Sequence, residues 1–355
     1  MRVVLAGYYG FGNGGDEALL TSALQMLPAE AEPIVLSPVP TQTSETYSVA
    51  SINRWDGVGI QRVLRHSTAF VWGGGSLMQD RTSWRNPLYY GGLMGLAQRF
   101  GLKTIAWAQG IGPLQQRWTR WITRQCLQRC TAVSVRDRVS SQLLSDWQIP
   151  HVLAPDPVWA LAATPMARTI DVRPTLANRP AIAVALRSHP LLTNTRLETI
   201  ARGLVQLQAE TETRIHFIPF QPRADLAIAQ RLHRQLGDVS SVVDIDDPRQ
   251  LKGALRETRL TISMRYHGLV MAAAEGVPIF GLSYDPKVER LLQELDAPGW
   301  DLADLPTDPH QICQAWRNCY EHHSALSSAQ LSEWRQRALQ HQQVFVNGLQ
   351  NHPSN

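Results

Sequence analysis

The sequence predicts an α/β protein built as two tandem Rossmann-like, doubly wound domains. Short apolar runs alternate with longer segments of helical period along the chain, which is the pattern of parallel strands joined by crossover helices. The alternation breaks over residues 164–180, where prolines stand at 165, 174 and 180 and no apolar period is seen. A chain of 355 residues is long for one core and comfortable for two, and a hydrophobic content of 44% can fill both. The expected organisation is an N-terminal domain over residues 1–164, a linker over 165–179, a C-terminal domain over 180–325, and a C-terminal helix and tail over 326–355. Two such domains facing each other would form an interdomain cleft lined by the carboxyl ends of both sheets.

In the first domain, strands are expected at residues 3–6, 33–36, 69–72, 104–107, 132–135 and 152–154, each followed by a loop rich in glycine or charge. In the second they are expected at residues 181–186, 214–219, 242–245, 260–262 and 279–282. Residues 330–349 read as one long polar helix that packs back across the domain boundary.

The formal charge of +4 and the pI near 9.0 are modest, and the arginines are spread along the chain. That balance favours anionic small molecules or an anionic membrane surface, and argues against a nucleic-acid protein. No apolar run approaches the roughly 20 residues of a membrane span. The chain enters a strand directly after Met1 and Arg2, so no signal peptide is expected and the protein is placed in the cytoplasm. Cys126 and Cys130, and Cys313 and Cys319, lack metal-ligand spacing; they are expected to be buried thiols, with no metal bound.

The most informative motif is Ser263-Met264-Arg265-Tyr266-His267-Gly268, between an apolar strand and a run of small residues that Gly276 and Pro278 terminate. Arg265 and His267 then sit where unpaired helical N–H groups and the helix dipole favour an anion, next to a side chain suited to proton transfer. The plainer alternative is a cap and a surface histidine. Lys287 follows the next strand, and only Lys103, Lys252 and Lys287 are lysines among 34 basic residues. A lysine at a strand end in an arginine-rich chain points to use of its compact ammonium.

The first strand leads into Gly10-Phe11-Gly12-Asn13-Gly14-Gly15-Asp16, which contains a G-x-G-x-x-G pattern. The second strand ends in Leu36-Ser37-Pro38, without the acidic residue that would hold a ribose, so a dinucleotide is not expected. Gly73-Gly74-Gly75-Ser76 offers N–H groups at a strand end, or else makes a tight turn against the neighbouring sheet. Gln109-Gly110-Ile111-Gly112-Pro113 repeats the arrangement one strand later. Arg136 follows a further strand and is either a site cation or a surface arginine paired with Asp137; Asp156 reads as a turn residue. The segment after Pro113 carries Arg117, Arg120 and Arg124 with Trp118 and Trp121 beside them. It reads first as a solvated helix with its tryptophans buried, and alternatively as a membrane-interface helix.

Assembled in order, these pieces resemble the polysaccharide pyruvyl transferase family over nearly the whole chain. The residues that carry the resemblance are Asn13-Gly14-Gly15-Asp16, Gly73-Gly74-Gly75-Ser76, Gln109-Gly110-Ile111-Gly112-Pro113, Ser134-Val135-Arg136-Asp137, Asp156-Pro157, Arg265-Tyr266-His267-Gly268, Glu275-Gly276-Val277-Pro278 and Lys287. The resemblance implies a fold similar to GT-B glycosyltransferases and transfer of the pyruvyl group of phosphoenolpyruvate onto a sugar as a cyclic ketal, without a cofactor. For the bacterial cell-surface branch it implies a lipid-linked acceptor containing N-acetylmannosamine, reached at the inner face of the cell membrane. It also implies His267, Arg136 and Lys287 as catalytic candidates, with Arg265, Asn13, Gly14, Gly15, Asp16, Gly74, Gly75, Ser76, Gln109 and Glu275 binding substrate. The Glu275 turn is shared with GT-B sugar transferases, which keeps a nucleotide-sugar glycosyltransferase as the rival reading.

Overall fold

The computed structural model describes residues 1–81, 83–166, 178–322 and 325–350. The chain divides into two units, one of Met1–Leu161 with Glu333–Asn355 and one of Ala162–Ser332. Of the linker expected over 165–179, residues 167–177 lie outside the described residues, as do residues 351–355 of the expected tail.

The first unit holds β1 (Arg2–Ala6), α1 (Gly14–Met26), β2 (Glu32–Ser37), α2 (Pro40–Tyr47), β3 (Ala50–Asn53), α3 (Gly57–Arg65), β4 (Ala69–Trp72), α4 (Arg85–Arg99), β5 (Lys103–Gln109), α5 (Arg117–Gln128), β6 (Ala132–Val135), α6 (Arg138–Asp146) and β7 (Val152–Leu153). Its seven strands run in the order β3-β2-β1-β4-β5-β6-β7, all parallel. The order reverses between β1 and β4, and in an open parallel sheet the crevice at such a reversal is where ligands bind. The central strands β1 and β4 are apolar on both faces because helices cover both.

The second unit holds β8 (Ala181–Ala185), α7 (Asn194–Thr211), β9 (Arg214–Phe217), α8 (Pro222–Leu236), β10 (Ser240–Val242), α9 (Pro248–Arg256), β11 (Leu260–Ser263), α10 (Tyr266–Ala274), β12 (Ile279–Ser283), α11 (Pro286–Glu294), β13 (Gly299–Asp301) and α12 (Pro309–His322). Its order is β10-β9-β8-β11-β12-β13, again parallel, with the reversal between β8 and β11. Each unit is thus Rossmann-like and doubly wound.

Two strands escaped the sequence reading, β3 and β13. Both are short edge strands with partly exposed residues, so neither needs the apolar run by which a buried strand announces itself. The C-terminal segment also differs from expectation, being two helices, α13 (Ser328–Ala338) and α14 (Gln340–Gln350), in place of one. Nor is α14 polar all round. It packs on β5 and β6 of the first unit, where Phe345 stacks on Trp107 at 5.0 Å and Gly348 lies against Ile105.

Candidate active site

In the first unit the glycine-rich loop after β1 is organised by two carboxylates. Asn13 caps α1, accepting from the Gly15 N–H at 3.2 Å and donating to Asp16 at 2.6 Å. Glu17, buried beneath the loop, accepts from the Gly10 N–H and from the Tyr47 hydroxyl, both at 2.8 Å. Burial pushes the Glu17 carboxyl above the usual carboxylate range, and the main-chain N–H groups of Gly10, Phe11 and Gly12 pull against that rise. An internal carboxylate therefore occupies donors that the sequence alone would leave open to a ligand.

Of the two readings of the triple glycine after β4, the geometry agrees with the tight turn against the neighbouring sheet. The N–H groups of Gly73 and Gly75 are not free: they donate to the carbonyls of Ala6 and Ala108. Packing explains the glycines. A Cβ on Gly73 would lie 1.6 Å from the Tyr9 hydroxyl oxygen, one on Gly74 2.8 Å from Leu19, and Gly75 has φ of +121°. Gln109 is likewise a strut, fully buried, with its amide nitrogen donating to the carbonyls of Gly73 and Trp107 and so tying the ends of β4 and β5 together.

Beside these turns stands Arg136, at the end of β6. Its partner is Asp156, at 2.7 Å, with side-chain exposures of 7% and 0% for the two residues. Asp137, the partner weighed from sequence, instead caps α6 through the Ser140 N–H and hydroxyl, each at 2.8 Å. Asp156 does more than turn the chain, since it also accepts from the Val158 N–H at 3.0 Å. A second guanidinium nitrogen of Arg136 reaches the exposed Ser76 hydroxyl at 3.4 Å, and Gly110 leaves room for both. Ser76, Gly110 and Arg136 thus gather at the carboxyl ends of three adjacent strands.

Behind this cluster α14 inserts His341, which sequence reasoning missed. Its ring bridges the Ser134 hydroxyl at 2.9 Å and the Pro155 carbonyl at 3.0 Å, while Ser134 accepts from the Ala108 N–H. With the proton on Nε2 the chain of donors and acceptors closes. Desolvation moves its pKa down to about 4, keeping the ring neutral. Ala108, at φ of +50°, marks the irregularity in β5 that carries Gln109 into register with β6.

In the second unit the turn after β11 is built by Ser263, whose hydroxyl accepts from the Arg265 N–H and donates to the Arg265 carbonyl, both at 2.9 Å. Gly268 brings the first turn of α10 down onto it; a Cβ there would meet the Ser263 hydroxyl at 2.6 Å. His267 is thereby held in the first helical turn, half-buried, its ring edge-on to Tyr266. Arg265 is not presented as an open anion site. Its guanidinium forks onto both oxygens of Asp225, a buried residue in the first turn of α8. Glu275 too is engaged internally, with the fully buried Lys252 at 3.4 Å and Arg256 at 3.9 Å.

Two of the three lysines are therefore structural, since Lys103 donates to the Leu349 carbonyl at 2.6 Å. Lys287 differs. It sits half-exposed in the first turn of α11, where the helix dipole disfavours a cation, and makes no ion pair among the described residues. Across the β8–β11 reversal the loop after β8 adds Arg187 and His189. Arg187 donates to the Tyr284 hydroxyl at 2.9 Å and lies over its ring, which also contacts the His189 ring at 4.6 Å. The signal for these two was present in the sequence: they follow the apolar run at 181–186 just as Arg265 and His267 follow β11.

A family model described as "Polysaccharide pyruvyl transferase" matches residues 13–286. The chain belongs to that family. Arg136 and His267 fall inside the matched span, and Lys287 is the residue after its end. No curated protein matches the chain in sequence. Among solved structures it is similar to HepE from Anabaena in complex with UDP and glucose, at 11% identity and TM-score 0.60, with 99% of each chain covered. It is similar to the UDP-GlcNAc 2-epimerase of Neisseria meningitidis bound to UDP-GlcNAc, at 9% identity and TM-score 0.62, with 98% of each chain covered. A glycosyltransferase from Rickettsia africae is similar at 11% identity and TM-score 0.53, over 98% of this chain and 93% of that one. At such identities the likeness is one of fold, and it agrees with the two Rossmann-like units of a GT-B-like transferase.

Proposed function

We propose that this pyruvyl transferase moves the pyruvyl group of phosphoenolpyruvate onto a lipid-linked, N-acetylmannosamine-containing saccharide as a cyclic ketal, releasing phosphate without a metal or cofactor. The observation that carries the reading is the set of basic side chains at the strand ends of the second unit. His267, Lys287, Arg187 and His189 follow β11, β12 and β8 around the sheet reversal, while the nearby carboxylate of Asp225 is already spent on Arg265. A small donor bearing both a carboxylate and a phosphate suits that set.

The chemistry divides among few groups. One sugar hydroxyl adds to the enol carbon as the neighbouring methylene takes a proton and becomes a methyl group. A second hydroxyl then displaces phosphate at the same carbon, and its proton departs with the leaving group. His267 is assigned the proton transfers, since imidazole can both hold and yield a proton near neutrality. Lys287 stabilises the phosphate as charge develops on it, and Arg136 keeps its assignment as a catalytic candidate. The rival, a nucleotide-sugar glycosyltransferase, draws on the UDP named in the similar structures, but Glu275 is held by Lys252 and Arg256.

Calorimetric titration separates the two. Phosphoenolpyruvate is expected to bind the wild-type protein and His267→Ala alike and to bind Lys287→Ala weakly, with no heat from UDP-sugars. Tight binding of a UDP-sugar without binding of phosphoenolpyruvate would overturn the proposal.

A further inference from the structure

The outward face of α4 and α5 in the first unit is built against the ordinary rule for a surface helix. The buried side of α5 consists of Thr119, Thr123, Cys126 and Leu127, three of them small. Its large aromatic residues point the other way, with Trp118 38% and Trp121 63% exposed. This corrects the expectation that these tryptophans are buried. The cause lies in α4, where Gly91 meets Ile122 so closely that the helices leave no room for an indole between them. The Thr123 hydroxyl is satisfied within α5, by the Thr119 carbonyl.

The exposed apolar side chains continue onto the neighbouring helix. Trp84, 54% exposed, packs edge-on against Trp118 at 6.4 Å, and Leu88 is 44% exposed one turn further on. Charge on this part of the chain is of one sign. Between Asp80 and Asp137 the sequence contains no aspartate or glutamate, yet it carries eight arginines and Lys103. Arg85, Arg117, Arg120 and Arg124 lie exposed on the same two helices as the tryptophans. The flanking Asp80 keeps its negative charge, with its oxygens turned to the Gln115 and Gln116 N–H groups and the Thr119 hydroxyl, so one carboxylate stands against four arginines and the face is net positive.

We infer that this face docks the protein onto the surface of an anionic phospholipid bilayer. Indole rings settle at the level of lipid headgroups, and arginines on the same face meet anionic headgroups around them. The contact is peripheral, since no helix among the described residues is long and apolar enough to cross a membrane. A second copy of the chain is disfavoured as the occupant because two faces of net positive charge repel. Nucleic acid would use the arginines but gives no reason for Leu88 and three exposed tryptophans. The inference rests on this face alone and is independent of the donor proposed above.

The test is co-sedimentation of the full chain with phosphatidylcholine vesicles and with vesicles that also contain phosphatidylglycerol, at low and at physiological ionic strength. The wild-type protein is expected to bind the phosphatidylglycerol vesicles, less so in salt, and to ignore phosphatidylcholine. Arg117→Gln/Arg124→Gln should weaken binding about tenfold or more and flatten its salt dependence. Trp84→Ser/Trp121→Ser should weaken it at every salt concentration. Both variants keep side chains that face solvent, so their melting temperatures should match the wild type and exclude misfolding as the cause. Failure to bind at low salt, equal binding to both vesicle types, or unaltered binding by either variant would overturn the inference. So would a dimer in sedimentation velocity that Trp121→Ser dissolves, or duplex DNA binding that survives loss of the tryptophans while vesicle binding is absent.

Discussion

The Arg265–Asp225 pair makes a prediction that separates a structural arginine from a substrate-binding one. The substitution Asp225→Asn keeps the shape of the side chain and removes its charge, leaving a 7%-exposed guanidinium without its counter-ion. Breaking a buried ion pair by removing one partner costs about 3–5 kcal/mol. For a unit of this size each kcal/mol lowers the melting temperature by about 2–4 °C, so the transition of the second unit should fall by about 6–20 °C in scanning calorimetry. Replacing both partners together, as Asp225→Leu/Arg265→Met, should recover most of that loss because no charge remains buried. The reasoning is refuted if Asp225→Asn melts within a degree or two of the wild type, or if Arg265→Met leaves stability intact and only raises KM for the donor.

Further outcomes follow from the same geometry. Gly268→Ala forces a Cβ against the Ser263 hydroxyl, so it should cost about 1–3 kcal/mol in urea unfolding and lower kcat by displacing His267. The pKa values of His341 and His216 are both lowered to about 4 by burial, so the unfolded chain takes up protons below its ordinary value of 6.5 that the native protein refuses. Stability should therefore be full above pH 6.5 and decline as pH falls towards 4, by about 3 kcal/mol for each histidine, with a shallower decline in His341→Asn measured by denaturation across that window. Asp80 behaves oppositely: desolvation raises its pKa, but hydrogen bonds from Gln115, Thr119 and Gln116 outweigh it, and the net value is lowered from 3.8. Its contribution to holding the turn before α5 should be present above pH 3.8 and lost as pH falls through the lowered value, so Asp80→Asn and wild type should converge in strong acid.

The fold was legible because buried parallel strands must be apolar throughout. Residues 69–72 and 132–135 were read to the residue, while the edge strands β3 and β13 carry no such signal. The strand-end motifs were also visible, but what each side chain does there was not. Sequence shows that Arg265 and Glu275 sit at turns; it does not show that Asp225, forty residues upstream, or Lys252 will meet them. Likewise three glycines in a row mark a close approach, and only the packing of Tyr9 and Leu19 identifies the approaching atoms as protein. His341 could not be found from its own neighbourhood, because its partners Ser134 and Pro155 lie some two hundred residues away in the chain. Arg187 and His189, by contrast, obey the strand-end rule that singled out His267.

The central claim is that the donor is phosphoenolpyruvate, and it is tested most directly by product analysis. The protein is incubated with phosphoenolpyruvate and a lipid-linked N-acetylmannosamine acceptor, inorganic phosphate is followed, and the product is weighed by mass spectrometry. One phosphate released for each pyruvyl ketal gained, with turnover abolished in His267→Ala, is the result predicted. An acceptor that instead gains a sugar from a nucleotide donor, with phosphoenolpyruvate unconsumed, would contradict it.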